Sequence, residues 1–206
     1  MHTLITGACG KLEIDYEFQA NNLAITGIIC HPHPLFGGTM NNKVVTTVAK
    51  SLQHLNISTI RFNFRGVGQS VGNYNEGMGE VDDLLAVAQW LKHERPTNQL
   101  WLAGFSFGAY IAAKGATLLA ARQLITVAPA VNHANFSDLT ITCPWLIIQG
   151  EEDEIVPPND VYQLAATKIP PPTLIKIPNA SHFFHHKLGD LAAAVNTLVH
   201  CQPKFG

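Results

Sequence analysis

The stretch Gly104-Phe105-Ser106-Phe107-Gly108 constrains this chain more than any other, because it stands directly after the apolar run Leu100-Trp101-Leu102-Ala103. Glycines two before and two after a serine predict a strand that ends, reverses sharply and starts a helix at once, with the hydroxyl exposed at the turn. The backbone at such a serine is strained, and the close approach of strand and helix leaves no space for a Cβ at either glycine. A short pattern of this kind also arises by chance, as a Gly/Ser-rich turn. The flanks decide between the two readings. The residues before it are β-like, and Ala109 to Ala120 is an alanine-rich run whose small side chains let a helix lie close on a sheet.

A serine hydroxyl is a poor nucleophile at neutral pH, so Ser106 needs a base and an acid that orients the base. On this kind of scaffold they follow in the chain order serine, acid, histidine. The apolar run Pro144 to Gly150 leads into Glu151-Glu152-Asp153-Glu154-Ile155-Val156-Pro157, where Asp153 is the chosen acid. The run Thr173 to Pro178 is followed by Asn179-Ala180-Ser181-His182. Loops past the carboxyl ends of parallel strands gather along one edge of a sheet, so Ser106, Asp153 and His182 are expected to meet there. His182 would take the serine proton and return it to the leaving group, while Asp153 holds the useful tautomer and stabilises the imidazolium. A solvated acidic turn and a surface histidine are the plain alternatives for each residue alone. Their joint order after successive strands favours the trio.

A tetrahedral intermediate carries an oxyanion, which needs fixed donors. One expected donor is the backbone N–H of Phe107, at the positive end of the new helix. The other should come from the loop after an earlier strand, and Leu23 to Cys30 leads into His31-Pro32-His33-Pro34-Leu35-Phe36-Gly37-Gly38. Pro32 and Pro34 have no N–H to give. That leaves His33, Leu35, Phe36 and the glycines, with Leu35 the choice among them.

With these residues assembled, the chain resembles the α/β-hydrolase superfamily, and more narrowly the small bacterial lidless serine hydrolases and esterases with a His-Pro-His-Pro-Leu-Phe-Gly-Gly-Thr-Met oxyanion loop. The likeness runs through nearly the whole chain. Asn63-Phe64-Arg65-Gly66-Val67-Gly68-Gln69-Ser70 is similar to that superfamily's Arg-Gly-x-Gly-x-Ser loop, and Ser181-His182-Phe183-Phe184 matches as well. The Gly-x-x-Asp-x-x-Val-Pro pattern at Gly150 to Pro157 selects Asp153 over Glu151, Glu152 and Glu154. The departure is a doubled His-Pro where His-Gly is commoner, which bears on the oxyanion donor. The resemblance implies an α/β fold: one domain over residues 1–206, with a mostly parallel sheet of about seven or eight strands, helices on both faces and no cap domain. It also implies hydrolysis of small, soluble, short-acyl carboxylic esters through an acyl-enzyme, with no cofactor. Thioester or small-amide hydrolysis, cofactor-free perhydrolysis or haloperoxidation, and a catalytically silent binding protein remain open beside it.

Composition agrees with a compact enzyme. A chain of 206 residues that is 47% hydrophobic and only 14% charged suits a sheet buried on both faces. A net charge of −2, with 13 Lys and Arg scattered along the chain, gives no basic footprint and argues against a nucleic-acid partner. The start Met1-His2-Thr3-Leu4-Ile5-Thr6-Gly7 lacks the features of a signal peptide, and no stretch suits a membrane span, so a cytoplasmic location is expected. The expected partner is a small-molecule ester, with homodimerisation left open. Cys9, Cys30, Cys143 and Cys201 are widely spaced and read as mostly buried thiols. Ten histidines invite a metal site, but no helix carries two of them at i and i+4, so none is expected. His33 and Phe36 are candidate substrate-binding residues, and His185 and His186 are expected to begin the last helix.

The remaining elements follow from periodicity. Lys11 to Gln19 and Leu23 to Cys30, joined at Asn21-Asn22, read as a hairpin that opens the sheet. Val44, Val45, Val48, Leu52 and Leu55 mark one helical face, and Ile57 to Phe62 a strand. Val81, Leu84, Leu85, Ala88 and Leu91 mark a second face, and Leu188, Leu191, Ala192, Val195, Leu198 and Val199 the closing one. Glu80, Asp82 and Asp83 suit the positive end of the second helix. Arg65 is balanced between shaping its loop and contacting substrate. Pro129 to Cys143 is too short a segment for an independent cap.

Overall fold

A computed structural model describes residues 1–20 and 24–198 of the chain. The expected Asn21-Asn22 turn, and with it Leu23, Val199 and Cys201, lies outside those residues. The strands are β1 (His2–Gly7), β2 (Gly10–Glu17), β3 (Ile25–Cys30), β4 (Ser58–Phe62), β5 (Gln99–Phe105), β6 (Gln123–Val127), β7 (Trp145–Gly150) and β8 (Thr173–Ile177). They form one sheet of eight strands in the order β1-β2-β4-β3-β5-β6-β7-β8. The pairs β1/β2 and β2/β4 are antiparallel, and every other neighbouring pair is parallel.

The helices are α1 (Lys43–His54), α2 (Met78–Glu94), α3 (Phe107–Leu118), α4 (Pro158–Thr167) and α5 (Leu188–Asn196). Period-two alternation in the central strands sends neighbouring side chains into two separate cores. Ile28 and Cys30 of β3, Leu102 of β5 and Ile147 of β7 pack with Val81, Leu84, Ile111 and Val161 under α2, α3 and α4. Ile29, Trp101, Ala103, Phe105, Leu146 and Ile148 face the other way and pack with Val44, Val48, Leu191 and Val195 under α1 and α5. The fold is thus the α/β-hydrolase arrangement. No helix or strand stands between β6 and β7, so no cap domain covers the sheet there.

Three expectations need correction. β2 and β3 are not hairpin partners, because β4 lies between them, antiparallel to β2 and parallel to β3. β3 is buried along its whole length and needs a strand on each side, which β4 and β5 supply. The true hairpin is β1 with β2, closed between Gly7 and Gly10. In α2 the buried face uses Val87, whereas Leu85 is half-buried. His185 and His186 lie in a turn ahead of α5, which starts at Leu188.

The strand order also places the site. From β3 the chain runs to β4 on one side, and β5 then returns to the other side of β3. The loops leaving β3 and β5 therefore part in opposite directions, opening a crevice at the carboxyl edge of the sheet where ligands of open α/β sheets bind.

Candidate active site

Ser106 stands at the junction of β5 and α3 with φ +55° and ψ −116°. That is a conformation few side chains other than glycine adopt, and it costs on the order of 1–3 kcal/mol. The flanking glycines make it geometrically available. A Cβ at Gly104 would fall 2.1 Å from the Gly108 carbonyl oxygen, and one at Gly108 would fall 2.4 Å from the carbonyl oxygens of Cys30 and His31. All of these are backbone atoms that cannot swing aside. The Ser106 N–H is held by the Val127 carbonyl at 2.9 Å, tying the turn to the end of β6.

β7 and β8 bring the other two residues to the same edge. His182 Nε2 lies 3.1 Å from Ser106 Oγ, and His182 Nδ1 lies 2.8 Å from Asp153 Oδ2. Asp153 Oδ1 accepts the N–H groups of Ile155 at 2.9 Å and Val156 at 2.7 Å, which closes the turn after β7. Burial would raise the Asp153 pKa, but the hydrogen bonds from His182 and Val156, the imidazole's charge and the Ile155 N–H together hold it below the usual carboxylate value. The carboxyl is therefore ionised wherever the fold is stable at neutral pH, and an ionised carboxylate at Nδ1 places the imidazole's acceptor nitrogen toward Ser106. The ring itself is wedged between Phe105 and Phe183, with centroids 5.0 and 5.1 Å away.

The crevice above Ser106 is a cleft of 220 Å³ lined by Pro32, His33, Phe36, Gly37, Gly38, Asn42, Ser106, Ile155, His182 and Phe183. No lining residue carries a permanent charge. Phe36 at 85% exposure, Leu35, Ile155 and Phe183 leave an apolar rim. The 3₁₀ turn Pro34–Phe36 shapes one wall, and Leu35 donates its N–H to the turn's own capping group, His33 Nδ1, at 3.2 Å. The amide of Leu35, the expected oxyanion donor, is thus engaged within its loop. The amides of Phe36 and Gly38 bond the His33 carbonyl, and that of Gly37 bonds the Pro34 carbonyl. Among the described hydrogen bonds, the His33 N–H meets no acceptor. The His33 ring packs against Phe36, Tyr74 and Phe107 at 4.7, 4.8 and 4.9 Å, joining the loop to α3. Burial lowers its pKa, against the opposing pull of Glu80.

Comparison with known proteins meets this geometry from the other side. The family model Hydrolase_4, described as serine aminopeptidase, S33, matches residues 35–140. A lidless α/β serine hydrolase from Xanthomonas campestris, XC6422, superposes with a TM-score of 0.95 at 43% identity, covering 100% of this chain and 96% of that one. The chain belongs to this α/β serine hydrolase family. An α/β serine hydrolase homologue from Coxiella burnetii is 49% identical with a TM-score of 0.92, each chain covered to 96%. Protein RP471 of Rickettsia prowazekii is 36% identical over 204 residues, 92% of this chain and 84% of its own.

Within this hydrolase-family chain, Arg65 is resolved in favour of shaping its loop. Its guanidinium meets the Asp83 carboxylate at 2.8 Å with both side chains buried, and its N–H bonds the same carboxylate. Asp83 is therefore a loop anchor, whereas Glu80, in the first turn of α2, accepts the N–H groups of Asn75 and of the N-cap Gly77, in keeping with the role expected of it at the helix N-terminus. Among the described cysteines Cys30 and Cys143 are buried and Cys9 is exposed. Among the described residues no cluster of three His, Cys, Asp or Glu side chains is placed to hold a metal, and no helix is long and apolar enough to cross a membrane.

Two contributors escaped the sequence reading. Glu154 Oε2 accepts the backbone N–H of His182 at 3.1 Å, and Gln149 Nε2 donates to Asp153 Oδ2 at 3.0 Å. A signal for Gln149 existed: it is the one polar residue in the strand run Trp145-Leu146-Ile147-Ile148-Gln149. A buried amide in such a place needs a partner.

Proposed function

We propose that this chain is a serine hydrolase that cleaves small, uncharged carboxylic esters with short acyl groups. The reading rests on the continuous hydrogen-bonded line from Asp153 through His182 to Ser106, seated on a strained turn at the start of a helix. Ser106 Oγ attacks the ester carbonyl while His182 Nε2 takes its proton. The oxyanion is met by the N–H groups of Phe107 and His33, the latter replacing Leu35 because the later N–H groups of the loop donate to the His33 ring and to the His33 and Pro34 carbonyls. One such donor contributes about 2.7–4 kcal/mol to the transition state. Collapse breaks the ester C–O bond, His182 returns the proton to the departing alcohol, and water repeats the sequence on the acyl-enzyme to release the acid.

A cleft of 220 Å³ is smaller than the usual drug-sized pocket of about 300–1,000 Å³, which supports a compact substrate. The description of the matching family as serine aminopeptidase supports a second reading, hydrolysis of small aminoacyl amides at the same serine. One experiment addresses both. Wild-type protein should be labelled at Ser106 by a fluorophosphonate and should turn over short p-nitrophenyl esters faster than acyl-CoA thioesters or aminoacyl amides. An unlabelled Ser106 would remove the hydrolytic reading, and faster amide turnover would replace the ester with the amide.

A further inference from the structure

Gln149 is a buried polar side chain that no step of this cycle uses. It ends the apolar run of β7 with no exposure to solvent. Its Nε2 donates to the Gly150 carbonyl at 3.2 Å and to Asp153 Oδ2 at 3.0 Å, while its buried Oε1 meets no partner. The orientation of the amide is settled by chemistry, since turning it over would set Oε1 against a carboxylate oxygen and discard both donated bonds. A buried acceptor without a partner lowers stability, a cost that an apolar side chain of the same length would avoid. The position thus holds a donor at a cost in stability, and the recipient of that donor is Asp153.

The accounting at the carboxylate shows what the donor does. Oδ2 receives His182 Nδ1 at 2.8 Å and Gln149 Nε2 at 3.0 Å, and Oδ1 receives the N–H groups of Ile155 and Val156. A carboxylate offers about four lone-pair sites, so these contacts fill it. Two backbone donors pin one oxygen, and the shared oxygen is held between the imidazole and the amide. We propose that Gln149 is a positioning residue: by donating to the oxygen that also accepts His182 Nδ1, it fixes the rotation of the Asp153 carboxylate and limits how tightly that carboxylate holds the imidazolium. The inference rests on the hydrolase reading above.

The sign of its effect follows. His182 is the titratable partner that faces the Asp153 carboxylate, whereas Glu154 accepts from the His182 backbone rather than from its ring. Without the Gln149 donor the carboxylate is less satisfied and binds the imidazolium more strongly, so the Asp153–His182 pair gives up its proton at higher pH. The acid limb of the kcat/KM profile, which reports the neutral imidazole of the free enzyme, then moves up.

The test compares wild type with Q149M, a similar shape without the donor, and Q149E, which places a carboxyl against Asp153. Rates on a short p-nitrophenyl ester are measured across pH and normalised to the Ser106 labelled by a fluorophosphonate. The expected result is an acid limb displaced upward in both variants, by about one pH unit in Q149E, seen as about a tenfold loss of kcat/KM below the limb. The displacement in Q149M has the same direction and is smaller. A merely structural amide would lower the melting temperature and the labelled fraction while leaving the limb in place, which would overturn the proposal. Failure of both variants to fold would also overturn it, because the amide would then serve strand packing. If wild-type Ser106 does not label, the hydrolase reading itself fails and carries this inference with it.

Discussion

At the scale of single residues, the proposed function has Ser106, His182 and Asp153 act in sequence, so their removal should have unequal consequences. Under the proposed function, Ser106→Ala is expected to abolish fluorophosphonate labelling and lower turnover by about 10⁶. Asp153→Asn keeps the side-chain shape but offers N–H toward His182 Nδ1, favouring the wrong tautomer, and should lower turnover by about 10⁴. Steady-state rates on a short ester check both. Comparable losses for the two variants would show that Asp153 does more than orient the ring. Leu35 illustrates what a residue-level argument misses. Eliminating prolines from the loop narrowed the candidate donors, but it could not show that the Leu35 N–H turns inward to cap on His33 Nδ1, a bond set by the 3₁₀ geometry of Pro34–Phe36.

At the scale of elements, the site depends on how closely α3 approaches β3 and on how the loop after β4 is tied to α2. Gly108 has no Cβ where one would strike two backbone carbonyls at 2.4 Å. Gly108→Ala must therefore move α3 or β3, with an expected cost of about 1–3 kcal/mol by denaturant titration. The accompanying shift of Ser106 relative to His182 should slow fluorophosphonate labelling. The Arg65–Asp83 pair fastens the β4 loop to α2 with side chains 5% and 1% exposed. Burial pushes the Asp83 pKa up, against the guanidinium hydrogen bonds that hold it charged. Removing one partner leaves a buried charge, so Arg65→Met should destabilise by about 3–5 kcal/mol. Chemical denaturation measures this, and a cost under about 1 kcal/mol would mean that water reaches Asp83.

At the scale of the whole molecule, His31 joins the ends of two central strands and makes stability depend on pH. Its Nδ1 lies 2.6 Å from the Pro32 carbonyl as donor, and its Nε2 accepts the Phe64 N–H at 3.0 Å, so only the neutral ring fits. Burial lowers its pKa to about 4, despite the favourable Pro32 bond. The unfolded chain binds a proton near pH 6.5 and the folded chain resists doing so until about pH 4. The stabilisation is thus complete above pH 6.5 and lost as the pH falls toward 4, by on the order of 3 kcal/mol. Denaturation of wild type and His31→Gln between pH 7 and pH 4 should show a steeper decline in wild type, and parallel curves would contradict it. Much of this architecture was legible along the chain. Local backbone chemistry and periodicity announced the Ser106 turn, the helical face of α1, the Leu191 and Val195 part of the α5 face, and the positions of Asp153 and His182 just past their strands. Those features depend on residues a few places apart. Tertiary structure alone decided that β4 separates β2 from β3, that Asp83 serves Arg65, and that Glu154 holds the backbone N–H of His182. Each of these rests on partners brought together by the folded backbone, and strand pairing or hydrogen-bond competition is settled by which burial leaves the fewest groups unpaired.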